Sequence, residues 1–465
     1  MFSRREVLRA LGAAPLALGR HGIAATDLSY RRLGRTERWV VPLGLGGQAS
    51  LERSGGSMDR PDIIVQAVEL GVNYLDTANA YGPSQTYYGE AFRRLHLKPN
   101  DPNHNAALRE RLYVASKTGQ RYALDRSRPN AESAITDLRR TLTQLFGDSQ
   151  SFIPEGAYLD AFQIHNLGSL QQVDQIWENF ERRGDRSVPR LGALAGLLDY
   201  RDGANVTGLN PEGRRWIRHI GVTGHNSPVM TPCIQRDSEH ILDTLLTVLN
   251  ANDRQYLPNQ NNVIPVAVAR DMGVIAMKLF AQGYVYTGSN ANVVFTVGVP
   301  GGVPSADLIR YPISIPGVTV AIVGTGQIDR TNPQADQLLA NLTASQQDPA
   351  SPFELRRIEA QVAALHGADT NYYQQRSQGL VQPTNVKVER DGERVTVSWN
   401  AAVAAAEPIR SYQIWAGDRM VAALPFRPQT TLEPLKATLP ASLITAEPVR
   451  VLASERSPYP PRRRA

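Results

Sequence analysis

Four side chains of complementary chemistry close short apolar runs in the first half of the chain. Asp76 and Tyr81 share the stretch Tyr74-Leu75-Asp76-Thr77-Ala78-Asn79-Ala80-Tyr81-Gly82. Lys117 ends Tyr113-Val114-Ala115-Ser116-Lys117, and His165 ends Ala161-Phe162-Gln163-Ile164-His165. A phenol with a pKa of about 10 is a reluctant acid at neutral pH. An ammonium beside it favours the phenolate and eases release of the proton. A carboxylate next to the ammonium keeps that amine charged and oriented. A neutral imidazole can donate a hydrogen bond to an oxygen and set its approach. Gathered at one place, the four would hand a proton to a developing alkoxide. Taken singly, each has an ordinary explanation. Asp76 could cap a helix, Tyr81 could sit half-buried in a loop, Lys117 could be a solvated strand end, and His165 could be a hydrogen-bonded core residue.

The elements that must gather them are legible from periodicity. Eight apolar runs read as buried strands: Val40 to Leu45, Asn73 to Asp76, Leu112 to Ser116, Tyr158 to Ile164, Ile217 to Val222, Leu245 to Leu249, Val274 to Met277 and Val318 to Val323. Between several of them apolar residues recur at helical spacing, as in Ile63 to Val68, Ala134 to Leu145 and Val173 to Phe180. Pro61 and Asp62 mark a helix start, since proline in a first turn forfeits no intrahelical bond. Alternating strands and helices imply right-handed crossovers and a parallel sheet. Eight units over roughly 300 residues fit a (β/α)8 TIM barrel, assigned here to residues 28–370. An open doubly wound sheet would want Gly-x-Gly-x-x-Gly after its first strand. Leu43-Gly44-Leu45-Gly46-Gly47-Gln48 has glycines at other spacing and reads only as a tight turn. In a barrel the reacting groups lie where the strands end, and Asp76, Lys117 and His165 all stand there.

Leu75-Asp76-Thr77-Ala78-x-x-Tyr81-Gly82, the strand ending Ser116-Lys117, and Gln163-Ile164-His165-Asn166 together resemble the aldo-keto reductase family. The likeness runs from Leu33-Gly34-Arg35-Thr36 to Gly326. It implies an NAD(P)H-dependent carbonyl reductase with Tyr81 as general acid, Lys117 tuning it, Asp76 holding Lys117 and His165 orienting the carbonyl. It further implies that Asn166 grips the nicotinamide carboxamide and that Asn250 lies beside the ring. Ile220-Gly221-Val222-Thr223-Gly224-His225 stands where many relatives carry serine-asparagine, so Thr223 is the expected hydroxyl there. Lys278 and Leu279 on one loop, and Gly324, Thr325 and Gly326 on another, would hold the pyrophosphate and adenosine end. Glycines in such loops let backbone amides approach phosphate oxygens. Arg330 would take a 2′-phosphate and favour NADP(H) over NAD(H), although a surface arginine is the competing reading. The resemblance calls for a small carbonyl substrate and no metal. A second functional reading keeps the barrel and the nicotinamide but discards turnover, making the chain a redox-sensing or cell-envelope interaction module. A full set of four reacting groups speaks for turnover.

The remainder of the chain sets boundaries. Arg4, Arg5, Arg9 and Arg20 against Glu6, with Arg462, Arg463 and Arg464, account for the whole formal charge of +6, so the body is neutral. A nucleic-acid binder would concentrate positive charge on its folded part. No apolar run approaches the ~20 residues of a membrane-spanning helix. The single Cys233 excludes an intramolecular disulfide and a multi-thiolate metal site. Ser3-Arg4-Arg5-x-x-Leu8, followed by a weakly apolar stretch, resembles a twin-arginine export signal over residues 1–27; a basic amphipathic helix is the alternative. Export of a folded protein by that machinery would place it in the periplasm or outside the cell with a cofactor already loaded.

A closing helix is expected over Phe353 to Leu365, then a polar linker at 371–382. From 383 to 456 the pattern changes to period-two runs: Asn385 to Glu389, Arg394 to Trp399, Ser411 to Trp415 and Val449 to Leu452. These read as a small all-β sandwich resembling a fibronectin type III domain, with Trp399 in its core and envelope contacts as its expected role. Its later strands are not placed. Residues 457–465 read as a disordered basic tail. The loops Ser50 to Met58, Asn100 to Arg109 and Tyr284 to Gly302 are the expected shapers of the substrate site and carry no motif.

Overall fold

Pro42 divides the first apolar run. Before it, Trp39–Val40 (β2) pairs antiparallel with Arg31–Arg32 (β1). After it, Leu43–Gly46 (β3) begins the parallel sheet, so the expected strand from Val40 is two elements. Proline has no N–H to give a ladder, but its carbonyl accepts from Ala321 N at 2.8 Å. These elements come from a computed structural model that describes residues 28–54, 58–118, 130–148, 152–283, 285, 302–366, 373–445 and 447–456. The expected export signal and basic tail lie outside the described residues.

Seven further strands follow: Tyr74–Asp76 (β4), Tyr113–Lys117 (β5), Leu159–Leu167 (β6), Ile217–Gly224 (β7), Leu242–Val248 (β8), Gly273–Met277 (β9) and Val318–Val323 (β10). With β3 they close into a parallel barrel in the order β10-β3-β4-β5-β6-β7-β8-β9. All eight expected strands are present. The β1–β2 hairpin plugs the amino end, adding Leu33 and Val40 to the interior cluster of Tyr74, Tyr113, Leu246 and Ile275. At its tip Gly34 has φ +52°, and a Cβ there would lie 2.2 Å from Gly273 N, so no other residue fits.

Local chemistry explains the helix limits. Ala131–Phe146 opens with a reciprocal cap: Ser133 N donates to Asn130 Oδ1 at 2.8 Å, and Asn130 N to Ser133 Oγ at 3.2 Å. Its Ala134, Leu138, Leu142 and Leu145 are fully buried against the sheet. Helix Arg60–Glu69 starts one residue before Pro61, close to the expected start, and is capped by Asp59, whose side chain accepts from Asp62 N. The helix beginning at Leu170 stops at Ile176, short of the expected Phe180, because Asn179 turns left-handed at φ 52°. The closing helix is Pro352–His366; its Ile358 and Val362 are buried, but Phe353 is 80% exposed and does not serve the core as expected.

Residues 100–109 precede β5. They therefore lie at the amino end of the barrel and do not shape the mouth. Arg109, in helix Ala106–Arg111, is buried there and pairs with Asp160 near the start of β6 at 2.8 Å.

The C-terminal region is two small antiparallel sheets. One contains Thr384–Asp391 (β11), Arg394–Asn400 (β12) and Leu435–Pro440 (β15); the other contains Ser411–Ala416 (β13), Arg419–Pro425 (β14) and Val449–Ser454 (β16). Val395, Val397, Trp399, Tyr412, Ile414 and Val451 fill the space between them. The two strands that the sequence did not place, β14 and β15, alternate with largely exposed side chains and give weak period-two signals. The connecting segment is pinned: Arg376 bridges to Tyr256 and Val381 to Val403. On the barrel, Asn261 and Asn262 bond to the main chain of Ala404, Ala405 and Ala406.

Candidate active site

β4, β5 and β6 are neighbours in the barrel, with Asp76 level with Ala115 and Lys117 level with Gln163, so the side chains near their carboxyl ends face the same rim. Lys117 Nζ donates to Asp76 Oδ2 at 2.5 Å and to the carbonyl of Thr77 at 2.9 Å. Both side chains are buried, at 1% and 2% exposure. Burial pushes the Asp76 carboxyl above its ordinary range against the pull of the ammonium. Tyr81 comes from the loop after β4. Its ring lies 4.8 Å below the Lys117 ammonium. Its hydroxyl is 3.4 Å from His165 Nε2, with the rings edge to face. His165 N is fixed in turn by Thr118 Oγ1 at 3.1 Å. The fold thus gathers all four candidates on one rim.

The second group of expected residues divides. Asn166, Thr223 and Lys278 line the hollow that contains Tyr81, Lys117 and His165. Asn166 takes a left-handed φ of 59°, and its N–H is held by Thr223 Oγ1 at 2.6 Å. That acceptor role leaves the threonine hydroxyl proton available to the hollow. Lys278, Leu279 and Gly324 line an open groove running from Asp76 and Tyr81 to Gln337. Thr325 and Gly326 are turned to structural work. The Thr325 carbonyl accepts from the Ser50 hydroxyl. Gly326 N donates to Gln337 Oε1 at 2.8 Å. Asn250 is likewise occupied: its Nδ2 donates to Lys278 O and Tyr373 Oη, and its Oδ1 accepts from Asn252 N. Arg330 pairs with Asp62 at 2.8 Å and Glu69 at 2.7 Å, and these carboxylates hold its guanidinium more firmly charged than usual. Its positive charge is therefore already compensated.

The groove is open to an extended ligand. A Cβ on Gly46 would come 3.2 Å from Gly324 N, and one on Gly324 would come 2.9 Å from Ala49 Cβ, so both glycines keep its floor open. One turn along the helix from Gln337, the buried Asn341 amide has no hydrogen-bond partner at either polar atom among the described residues. A bound dinucleotide fits these features: a polar partner for Asn341, a close backbone approach at Gly324 and a cation at Lys278. Among the described residues no group of His, Cys, Asp and Glu is placed to hold a metal.

Residues 42–293 match the model of the aldo/keto reductase family, more than half of the chain. The chain belongs to the aldo/keto reductase family. The family match spans β3 to β9 and includes all four gathered residues; β10 with Gly324, and the two C-terminal sheets, lie beyond it. A Bacillus subtilis (strain 168) protein named uncharacterized oxidoreductase YqkF is 24% identical over 176 residues, covering 36% of this chain and 48% of that protein. The match thus spans about half the length of that relative. Among solved structures, the Pseudomonas aeruginosa protein PA4992, described as an aldo-keto reductase, is 23% identical. It covers 68% of this chain and 94% of its own, at a TM-score of 0.44. A thermostable aldo-keto reductase, Tm1743, solved with the inhibitor epalrestat, is 17% identical, covering 72% and 99% at a TM-score of 0.46.

Several lining residues of this aldo/keto reductase were not legible in advance. Gln48 and Gln337 border the groove and His225 borders the hollow; Glu52, also on the groove, lies in the expected shaping loop Ser50 to Met58, and Met277, Phe280 and Ile322 belong to the two stretches expected to hold the cofactor. The two glutamines are amide side chains without a chemical signature. His225 alone carried a usable signal, being an imidazole just past the carboxyl end of β7.

Proposed function

We propose that this aldo/keto reductase family member reduces small carbonyl compounds with a nicotinamide dinucleotide. The observation that carries the reading is the meeting of Asp76, Lys117, Tyr81 and His165 on one rim, beside a groove that accepts an extended ligand. A bound nicotinamide supplies the hydride. A carbonyl oxygen seated between Tyr81 Oη and His165 Nε2 receives a hydrogen bond from each as its negative charge grows. Tyr81 releases its proton to that oxygen, and the ammonium 4.8 Å from its ring favours the phenolate left behind. Asp76 and the Thr77 carbonyl hold Lys117 so that its charge costs no reorganisation during the reaction. Thr118 fixes the main chain of His165 and so the direction of its ring.

Tyr81→Phe keeps the ring and removes the acid. Turnover is expected to fall ~10²–10⁴-fold, with the nucleotide dissociation constant unchanged. A Phe variant as fast as wild type would refute the assignment. For the nucleotide, the clasp of Asp62 and Glu69 around Arg330 offsets its positive charge and weakens, without cancelling, the case for NADP(H) over NAD(H). Residues 1–27 are proposed as a twin-arginine address that exports the folded protein. Arg4→Lys with Arg5→Lys should retain precursor in the cytoplasm, and unchanged export would exclude that address.

A further inference from the structure

The loop that leaves β8, Asn250 to Asn262, is held from outside at both ends. At its near end Tyr373, from the segment that joins barrel to sandwich, accepts from Asn250 Nδ2 at 3.1 Å. The Tyr373 ring stacks on His225, with centroids 5.5 Å apart and planes 24° from parallel. His225 lines the hollow that contains Tyr81 and His165. Asp253 accepts from Gln374 Nε2 at 2.9 Å and from Asn250 N at 3.2 Å, tying the joining segment to the loop. At its far end the loop meets the sandwich. Asn261 Nδ2 donates to the carbonyls of Ala405 and Ala406, Asn262 exchanges two bonds with Ala404, and Arg254 pairs with Glu407 at 2.6 Å.

We propose that the C-terminal sandwich is a positioning part of the reaction site, fixing the β8 loop and His225 through Tyr373 and through the contacts at Ala404 to Glu407. Side chains that only cover a surface do not need such a double anchorage. A loop with one end at the reacting rim and the other on a separate sheet pair transmits any slack in that contact to the rim. Small misplacements there are costly, because reacting groups must be held within a fraction of an ångström. Tyr373 acts through the His225 ring it stacks on and the Asn250 amide it accepts from, and Asn261 acts through the loop it shares with Asn250.

The inference rests on the carbonyl-reductase reading, and the test separates the two. It uses the full-length protein, NADH and NADPH as nucleotide probes, and a reactive aldehyde as substrate. Tyr373→Phe retains the ring stack and loses the hydroxyl; Asn261→Ala loses only bonds to the sandwich. Each is expected to raise KM for the aldehyde ~3–10-fold, the worth of one or two hydrogen bonds, with kcat changed less than KM. Because both act through one loop, the double variant should show less than the product of the two effects. Tyr373→Ala, which also frees His225, should exceed Tyr373→Phe. Thermal unfolding is followed alongside: variants that lose stability but keep wild-type KM and kcat overturn the proposal, as do variants unchanged in every respect. Wild-type protein that binds nucleotide but never turns over would instead overturn the function on which the inference rests.

Discussion

The two ends of the barrel each bury a carboxylate–cation pair, and they are built differently. At the amino end Asp160 is saturated. It accepts from Arg109 at 2.8 Å and Val114 N at 3.0 Å, and its second oxygen faces Arg218 at 3.4 Å. Arg109 in turn donates to Tyr158 O and lies over the Tyr158 ring at 3.9 Å. At the carboxyl end Asp76 Oδ2 holds Lys117, while Asp76 Oδ1 has no hydrogen-bond partner among the described residues. Burial makes such an unsatisfied oxygen expensive. A pair that fills every valence serves the fold. One that leaves a polar atom unused, beside a hollow, keeps an ammonium near a phenol.

Replacement of one or both partners sharpens that contrast. Lys117→Met strands a buried carboxylate and should cost ~3–5 kcal/mol as well as turnover; Arg109→Met should cost as much stability while kcat is preserved. Replacing both partners by apolar residues separates the ends further. Asp76→Leu with Lys117→Met should recover most of the lost stability but no activity. Asp160→Leu with Arg109→Met should recover little, because Val114 N remains without its acceptor. Urea unfolding measures both, and equal recovery at the two ends would contradict the comparison.

A smaller effect concerns Asp253, on the same rim. Burial lifts its carboxyl from 3.8 to about 7, so the folded protein holds a proton there that the unfolded chain has already lost. Its contribution to stability is full below about pH 4 and disappears as the pH rises through 7. Asp253→Asn should flatten the slope of stability between those limits, seen as unfolding midpoints across a pH series; an unchanged slope would assign the dependence elsewhere.

The smallest expected change is at Arg330. Asp62→Asn with Glu69→Gln releases the guanidinium and should tighten NADP(H) relative to NAD(H) several-fold, within the ~0.3–1 kcal/mol scale of exposed charge pairs. Titration of both nucleotides by fluorescence decides it, and an unaltered ratio would place the 2′-position away from Arg330.

Much of this is legible in the sequence. The apolar runs named every barrel strand, since a strand buried on both faces must be apolar throughout. The positions just after them named Asp76, Tyr81, Lys117 and His165. The failures are equally physical. Phe353 fitted the helical pattern of the closing helix yet faces solvent, because periodicity identifies a stripe and not how far the partner surface extends. Residues 100–109 carried no sign of which end of the barrel they occupy. Arg330 had the right chemistry and distance along the chain, but its partners Asp62 and Glu69 lie more than 250 residues away in sequence.

The linear order of residues was enough to fix the repeating strand–helix units and the identity of the reacting groups, because both are written in local spacing. Which polar atoms are already spent depended on folding. Asn250 and Arg330 satisfy partners from distant segments, and Tyr373 meets Asn250 across 123 residues of chain. A hydrogen bond is settled by distances in space, and closing a barrel sets those distances all at once.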